Sequence, residues 1–421
     1  MNTYAIRSAL ISALGVALAL ASGSAWAIAF RLTDLGTLGG TSSQGVAINA
    51  SGQATGTSIT ADGETHAFLW DGTTMRDLGT LGGTDSRGVA INDSGEVTGS
   101  SNLAGDEAHH AFLWDGTRMQ DLGTLGGAFS TGSAINASGQ VTGSAATGVA
   151  FESHAFLWDG TTMRDLGTLV DGFSSSGNDI NDSGQVTGAA TVPVPRGRTH
   201  AFLWDGTTLQ DLGPLVGTPL QDFSASGNAI NVSGQVTGVA RHEDSSFAVL
   251  WDGTTMHVLN DPSDISFGIA INDAGQVTGG SSFLDSGSAP HAFLWDGATL
   301  QDLGTLGGEQ SVGAALNASG QVTGYASTAD EALHAFLWDG ITLQDLNALI
   351  DSVDPLQPFV TLEFGVDIND LGQILANGFD SRTGETHAYV VFPFSVPDPG
   401  SLALLGLGLA SLGFTRRRRA D

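Results

Sequence analysis

The segment His66-Ala67-Phe68-Leu69-Trp70-Asp71-Gly72 returns at His110, His154, His200, His291 and His334, in a worn form at Phe247, and last as His387-Ala388-Tyr389-Val390-Val391. Its tryptophans, Trp70, Trp114, Trp158, Trp204, Trp251, Trp295 and Trp338, stand 43 to 47 residues apart. A second motif, Ile91-Asn92-Asp93-Ser94-Gly95-Glu96-Val97-Thr98-Gly99, keeps the same beat from Ile48, Ile91, Ile135, Ile180, Ile230, Ile271, Leu316 and Ile368. A third, Asp77-Leu78-Gly79-Thr80-Leu81-Gly82-Gly83, has relatives from Asp34, Asp121, Asp165, Asp211, Asp302 and Asp345, and Val258-Leu259-Asn260 fills the remaining place. A chain of 421 residues would ordinarily be divided into two or three domains, but a fixed internal period makes it one array of stacked units.

Each unit reads as four short strands. In the second unit these are Gly88 to Asn92, a tight turn at Asp93-Ser94-Gly95, Glu96 to Ser100, a longer loop, His110 to Trp114, a second turn at Asp115-Gly116, and Thr117 to Leu122. In the third strand His110, Phe112 and Trp114 face one way and Ala111 and Leu113 the other, so both faces are largely apolar and must be covered. Small four-stranded sheets sandwiched between neighbours supply that environment, which makes the chain an all-β propeller. The phase of the repeat argues for a closed disc rather than a capped solenoid. A lone fourth strand, Phe30 to Leu35, opens the array, and its last unit supplies three strands: Gly365 to Asn369, Gln373 to Asn377 and His387 to Phe392. The two remnants add up to one blade, giving eight blades closed by the N-terminal strand, with seven as the alternative count. The array, residues 30–392, resembles the HAF extracellular repeat family, a resemblance that implies a secreted or surface location and carries over no functional residues.

The ends are not part of this array. Residues 1–27 read as a secretory signal peptide for signal peptidase: Arg7, an apolar run from Ala9 to Ala21, and the small-residue pattern Ala25-Trp26-Ala27. Residues 396–421 hold Val396-Pro397-Asp398-Pro399, an apolar stretch from Leu402 to Phe414, and Arg416, Arg417, Arg418 and Arg419. A short apolar run followed by a basic cluster is a tail that contacts the membrane transiently and stops transfer. Its three-part order resembles the PEP-CTERM sorting signal, with Asp398 where that family usually has Glu. The resemblance implies recognition by an exosortase, removal of the tail, and delivery to the outer surface or matrix of a Gram-negative bacterium. The intervening 28–395 carries nine arginines against 42 carboxylates, a balance of −33. Such a surface repels nucleic acid and keeps a secreted monomer soluble.

The sequence has no cysteine, which excludes disulfides and thiolate chemistry. No nucleophile elbow, phosphate loop or zinc-protease helix is present, so no catalytic residues are expected. The recurring histidines are expected to be structural, hydrogen-bonded to neighbouring backbone at the blade edge. They lie on a strand about 9–10 Å outside the innermost one, too spread for zinc bonds of about 2.1 Å. No cofactor is expected beyond weak extracellular calcium at the acidic loop pairs Asp106-Glu107, Glu243-Asp244 and Asp330-Glu331. Tight turns fall on one face of the disc and long connections on the other. The long-connection face is therefore expected to bind, with exopolysaccharide as the candidate partner and Arg196 and Arg198 in the one basic loop. Three readings stand: a non-enzymatic surface or matrix scaffold, a carbohydrate-active hydrolase or lyase with carboxylates at the channel mouth, and a structural matrix element without a ligand.

Overall fold

Strand pairing follows the repeat. In the computed structural model of the chain, residues 26–169, 172–192, 198–213, 223–242, 245–253, 255–260, 265–283 and 289–397 are described, the side chains of 26–28 and 395–397 excepted. They form eight four-stranded antiparallel sheets, an eight-bladed propeller. Blade 1 runs Gly39–Ile48, Ala54–Thr60, Thr65–Trp70 and Met75–Asp77, paired in chain order. Blades 2 to 7 repeat the pattern over 82–121, 130–167, 175–211, 224–258, 266–304 and 307–345. Blade 8 combines Val360–Ile368, Ile374–Asp380 and Glu385–Pro397 with the N-terminal strand Trp26–Asp34 outermost. The one helix among the described residues is the single turn Leu346–Leu349.

Strand lengths differ from the expected ones. The first strand of blade 2 begins at Gly82, not Gly88, because Gly82 pairs with Leu103 before a bulge at Gly88/Ala90. Its fourth strand is only Met119–Asp121. Thr117 and Arg118 are held in the turn instead, where both amides donate to the Asp115 carboxylate at 2.8 and 2.9 Å.

The chain divides into the propeller, Leu32–Phe392, and a second unit of the two ends, Met1–Arg31 and Pro393–Asp421. Within the propeller the closure is visible atom by atom. Leu35 N–H donates to the Ala388 carbonyl at 3.0 Å, His387 Nδ1 meets the Asp34 carboxylate at 3.0 Å, and Leu32 N–H donates to Asp354 at 3.0 Å. In the unit formed by the ends, the Arg31 guanidinium lies 4.5 Å over the Phe394 ring.

The core is a ring of interfaces between blades. Ala67 and Leu69 of blade 1 pack on Phe112 and Trp114 of blade 2. Ala111 and Leu113 pack on Phe156 and Trp158, and Ala155 and Leu157 on Phe202 and Trp204. Each of these phenylalanines is fully buried, worth roughly 1.5–3 kcal/mol apiece. Close approach within a blade needs glycine: a Cβ on Gly99 would overlap the Arg87 carbonyl and crowd the Phe112 ring.

Candidate functional site

The eight inner turns on the tight-turn face form a closed belt. Each motif asparagine folds its turn by accepting two backbone N–H groups, as Asn49 does from Ser51 and Gln53. Its amide nitrogen donates to the carbonyl of the next blade's asparagine: Asn49 to Asn92, Asn92 to Asn136, and so on to Asn317 to Asn369, at 3.0–3.2 Å. Asn369 returns to Asn49. The next position alternates strictly: Ala50, Asp93, Ala137, Asp182, Val232, Asp273, Ala318, Asp370. Each of the four aspartates accepts the amide of the preceding blade's turn, at 2.8–3.2 Å. A cavity of about 310 Å³ at this mouth is lined by such Asn and Asp residues, and these four carboxylates already hold blade to blade.

Two more carboxylates sit on the innermost strands. Asp179 accepts from Ile180 and Ile230 N–H at 2.8 and 2.9 Å. Asp367 does the same with Ile368 and Ile48. The other six blades carry alanine there: Ala47, Ala90, Ala134, Ala229, Ala270 and Ala315. Burial pushes both aspartates up to about 6, and their two backbone hydrogen bonds oppose that shift. They stand in blades 4 and 8, opposite one another in the ring, and each joins its blade to the next.

The repeat histidines have a carboxylate partner, not the expected backbone one. Nδ1 of His66, His110, His154, His200, His291 and His334 lies 2.8–3.1 Å from Asp77, Asp121, Asp165, Asp211, Asp302 and Asp345 on the neighbouring fourth strand. His387 finds Asp34. In blade 5 both partners change together: Phe247 replaces the histidine and Val258 the aspartate, Val258 pairing with Val249 as Asp77 does with Phe68. Among the described residues no three His, Asp or Glu side chains come together as a metal-ligand set. Asp106 instead accepts the Thr84 amide at 2.8 Å, and Asp330 accepts the Thr328 hydroxyl at 2.5 Å.

The tryptophans Trp70, Trp114, Trp158, Trp204, Trp251 and Trp338 are buried between blades and Trp295 is partly buried. Arg76 stacks on Trp114 at 4.6 Å and Arg164 on Trp204 at 4.7 Å. Arg198 belongs to the third strand of blade 4 and pairs with Val192. Arg196 lies outside the described residues, as do Glu243-Asp244, Ala25, the side chains of Ala27, Val396 and Pro397, and Asp398, Pro399 and Arg416 to Arg419.

On the long-connection face, blade 3 opens a cavity of about 620 Å³. Two departures from the repeat create it. Phe129 stands where blade 2 has Asp85, whose carboxylate accepts the Thr65 amide at 3.1 Å. The loop Thr147-Gly148-Val149-Ala150-Phe151-Glu152 replaces the compact Thr60-Ala61-Asp62-Gly63-Glu64 of blade 1. Thr147 N–H donates to the Glu152 carbonyl and Glu152 N–H to Val149, at 3.2 and 3.1 Å. This closes the loop and leaves Phe151 at its tip with φ 66°, an uncommon conformation for a bulky residue. Phe151 is fully exposed, and Phe129 and Val149 are 47% and 58% exposed. The His109 ring lies 5.0 Å from that of Phe129, and burial and the neighbouring His110 hold its imidazole below the ordinary pKa. Thr131, Ser144, Ser153 and Glu152 supply polar groups to the wall. Composition alone missed this site; aligning the repeats on one another exposes it, Phe129 standing where blades 1, 2, 4 and 5 carry Ser42, Asp85, Ser174 and Ser224 and blade 6 carries Ile265.

Residues 395–419 match the PEP-CTERM protein-sorting motif. No curated protein matches the chain in sequence. Among solved structures it is similar to the β-propeller domain of the Trilobed protease from Pyrococcus furiosus, at 12% identity and a TM-score of 0.47 over 75% of this chain and 97% of that one. It is also similar to a puromycin-hydrolyzing peptidase of Mycobacterium tuberculosis, at 13% identity and a TM-score of 0.43 over 77% of this chain and 56% of that one. A putative TolB from Agrobacterium tumefaciens aligns at 12% identity and a TM-score of 0.33 over 89% of this chain and all of the other. The chain is thus an eight-bladed propeller carrying a PEP-CTERM motif, which marks an exported protein recognised by an exosortase and processed at its C-terminus.

Proposed function

We propose that the protein is a non-enzymatic propeller of the cell surface or extracellular matrix that binds envelope polysaccharide through its long-connection face. The observation that carries this reading is the blade 3 cavity, where the repeat is broken by apolar and hydroxyl-bearing side chains instead of being used for architecture. The motif carboxylates and histidines elsewhere hold turns and blades together, which speaks for binding over turnover. On this reading residues 1–27 are removed after Ala27 by signal peptidase, residues 396–421 touch the inner membrane transiently, and the HAF-type array 28–395 reaches the outer surface of a Gram-negative envelope as a monomer.

Glycan-array binding and glycan-cleavage assays on the protein recovered from the secreting cell test the function. Binding without cleavage is expected; turnover abolished by one carboxylate substitution would establish the hydrolase or lyase reading instead. Mass spectrometry of the surface protein tests the sorting. Mature protein lacking Arg416 to Arg419 is expected, and an intact basic tail on exposed protein overturns it.

A further inference from the structure

We propose that the blade 3 cavity is a subsite for an uncharged sugar residue of a polysaccharide, a reading that rests on the glycan-binding function above and names its ligand class. A pyranose has one face of C–H bonds and a rim of hydroxyls, and the cavity offers a counterpart to each. Phe129, backed by His109, and the exposed Phe151 provide aromatic surface for the C–H face. The Thr131, Ser144 and Ser153 hydroxyls line the same cavity and make no hydrogen bond within the protein among the described residues. They are left to exchange hydrogen bonds with sugar hydroxyls, the small set of placed polar groups on an apolar wall that small-ligand sites use.

Charge decides which sugar. The lining holds no arginine, and its one carboxylate is Glu152. The body around it carries the −33 balance of 28–395. A uronate or sulfated residue would bring an anion against Glu152 with no cation to pair it, whereas a neutral hexose meets no such opposition. Arg87, which lies on the innermost strand of the preceding blade, lines a separate cavity with Gln44 and Thr57.

The test is titration calorimetry of the full mature protein with a neutral glucan and with a polyuronate of matched length. Phe151→Gly is the informative variant, because glycine adopts φ 66° without strain and the side chain it removes is fully exposed. The neutral glycan is expected to bind and the polyuronate to bind at least about tenfold more weakly. Phe151→Gly is expected to weaken neutral-glycan binding by about tenfold and Ser144→Ala severalfold. Glu152→Gln is expected to narrow the gap between the two glycans. Neutral-glycan binding unchanged in Phe151→Gly, or a preference for polyuronate, overturns the subsite while leaving glycan binding in place. Failure of the wild-type protein to bind any glycan on the array overturns the broader function with it.

Discussion

Asn369 donates its side-chain amide to the carbonyl of Asn49, 320 residues earlier in the chain, at 3.0 Å. This bond completes a belt of eight identical ones and places the closing seam under the same geometry as every internal blade contact. Asn369→Ala would orphan the Leu371 and Gln373 amides that its Oδ1 serves and remove one of the two donors to the Asn49 carbonyl, which keeps the Gly52 N–H. A cost of about 2–3 kcal/mol is expected. Asn181→Ala, inside the array, should cost the same in urea unfolding; a seam variant with no effect would show that the belt does not bear on closure.

Blade 5 shows that histidine and aspartate change as a pair, which a double-mutant cycle can measure. His110→Phe alone leaves the half-exposed Asp121 without its imidazole. Asp121→Val alone leaves His110 without its carboxylate. With both changes the blade takes the Phe247 and Val258 arrangement. A coupling of about 0.5–1 kcal/mol is expected between the two sites. Additive losses would mean that the pair is not an energetic unit.

Asp179 and Asp367 impose a pH dependence whose direction follows from burial. Each carboxyl binds its proton more tightly folded, near pH 6, than unfolded, near the ordinary 3.8. Their contribution therefore favours the fold below pH 4 and is lost as pH rises from 4 through 6. The upper bound is roughly 3 kcal/mol per carboxyl. The turn aspartates Asp71 and Asp115 are pulled down to about 2 by hydrogen bonds from their own turns and act only below that window. Urea midpoints between pH 4.5 and 7 should fall more steeply for the wild type than for Asp179→Ala/Asp367→Ala, which installs the residue of the other six blades. Identical slopes would contradict the assignment.

Phe156 and Phe129 separate architecture from recognition within one blade. Phe156 is fully buried between blades 2 and 3, and Phe156→Ala should cost about 3–5 kcal/mol. Phe129 is half exposed at the cavity, and Phe129→Ala should change stability by no more than about 0.5 kcal/mol. Denaturation of the two variants side by side checks this; equal losses would move Phe129 into the core.

The legibility of the site was uneven for a physical reason. Repetition announces whatever every blade needs, so the Asn turn, the aromatic third strand and the Asp-Gly exit were plain. Phe129, Val149 and Phe151 occur once each in their places, and a hydrophobic residue in a loop carries no periodic signature. The same holds for Asp179 and Asp367, whose meaning appears only once alanine is seen at that position elsewhere.

The sequence by itself determined the blade period, the four-strand unit and the closure, because strand alternation is local and the two terminal remnants are complementary. Tertiary structure alone decided what those strands exchange: the Asp34 partner of His387, the belt of asparagines, the carboxyl clasps at blades 4 and 8, and the cavity of blade 3. Each internal His–Asp pair lies 11 residues apart and follows the register of one hairpin. The belt and the clasps instead join neighbouring blades, and the seam pair His387–Asp34 spans 353 residues, partners that the closed ring brings together.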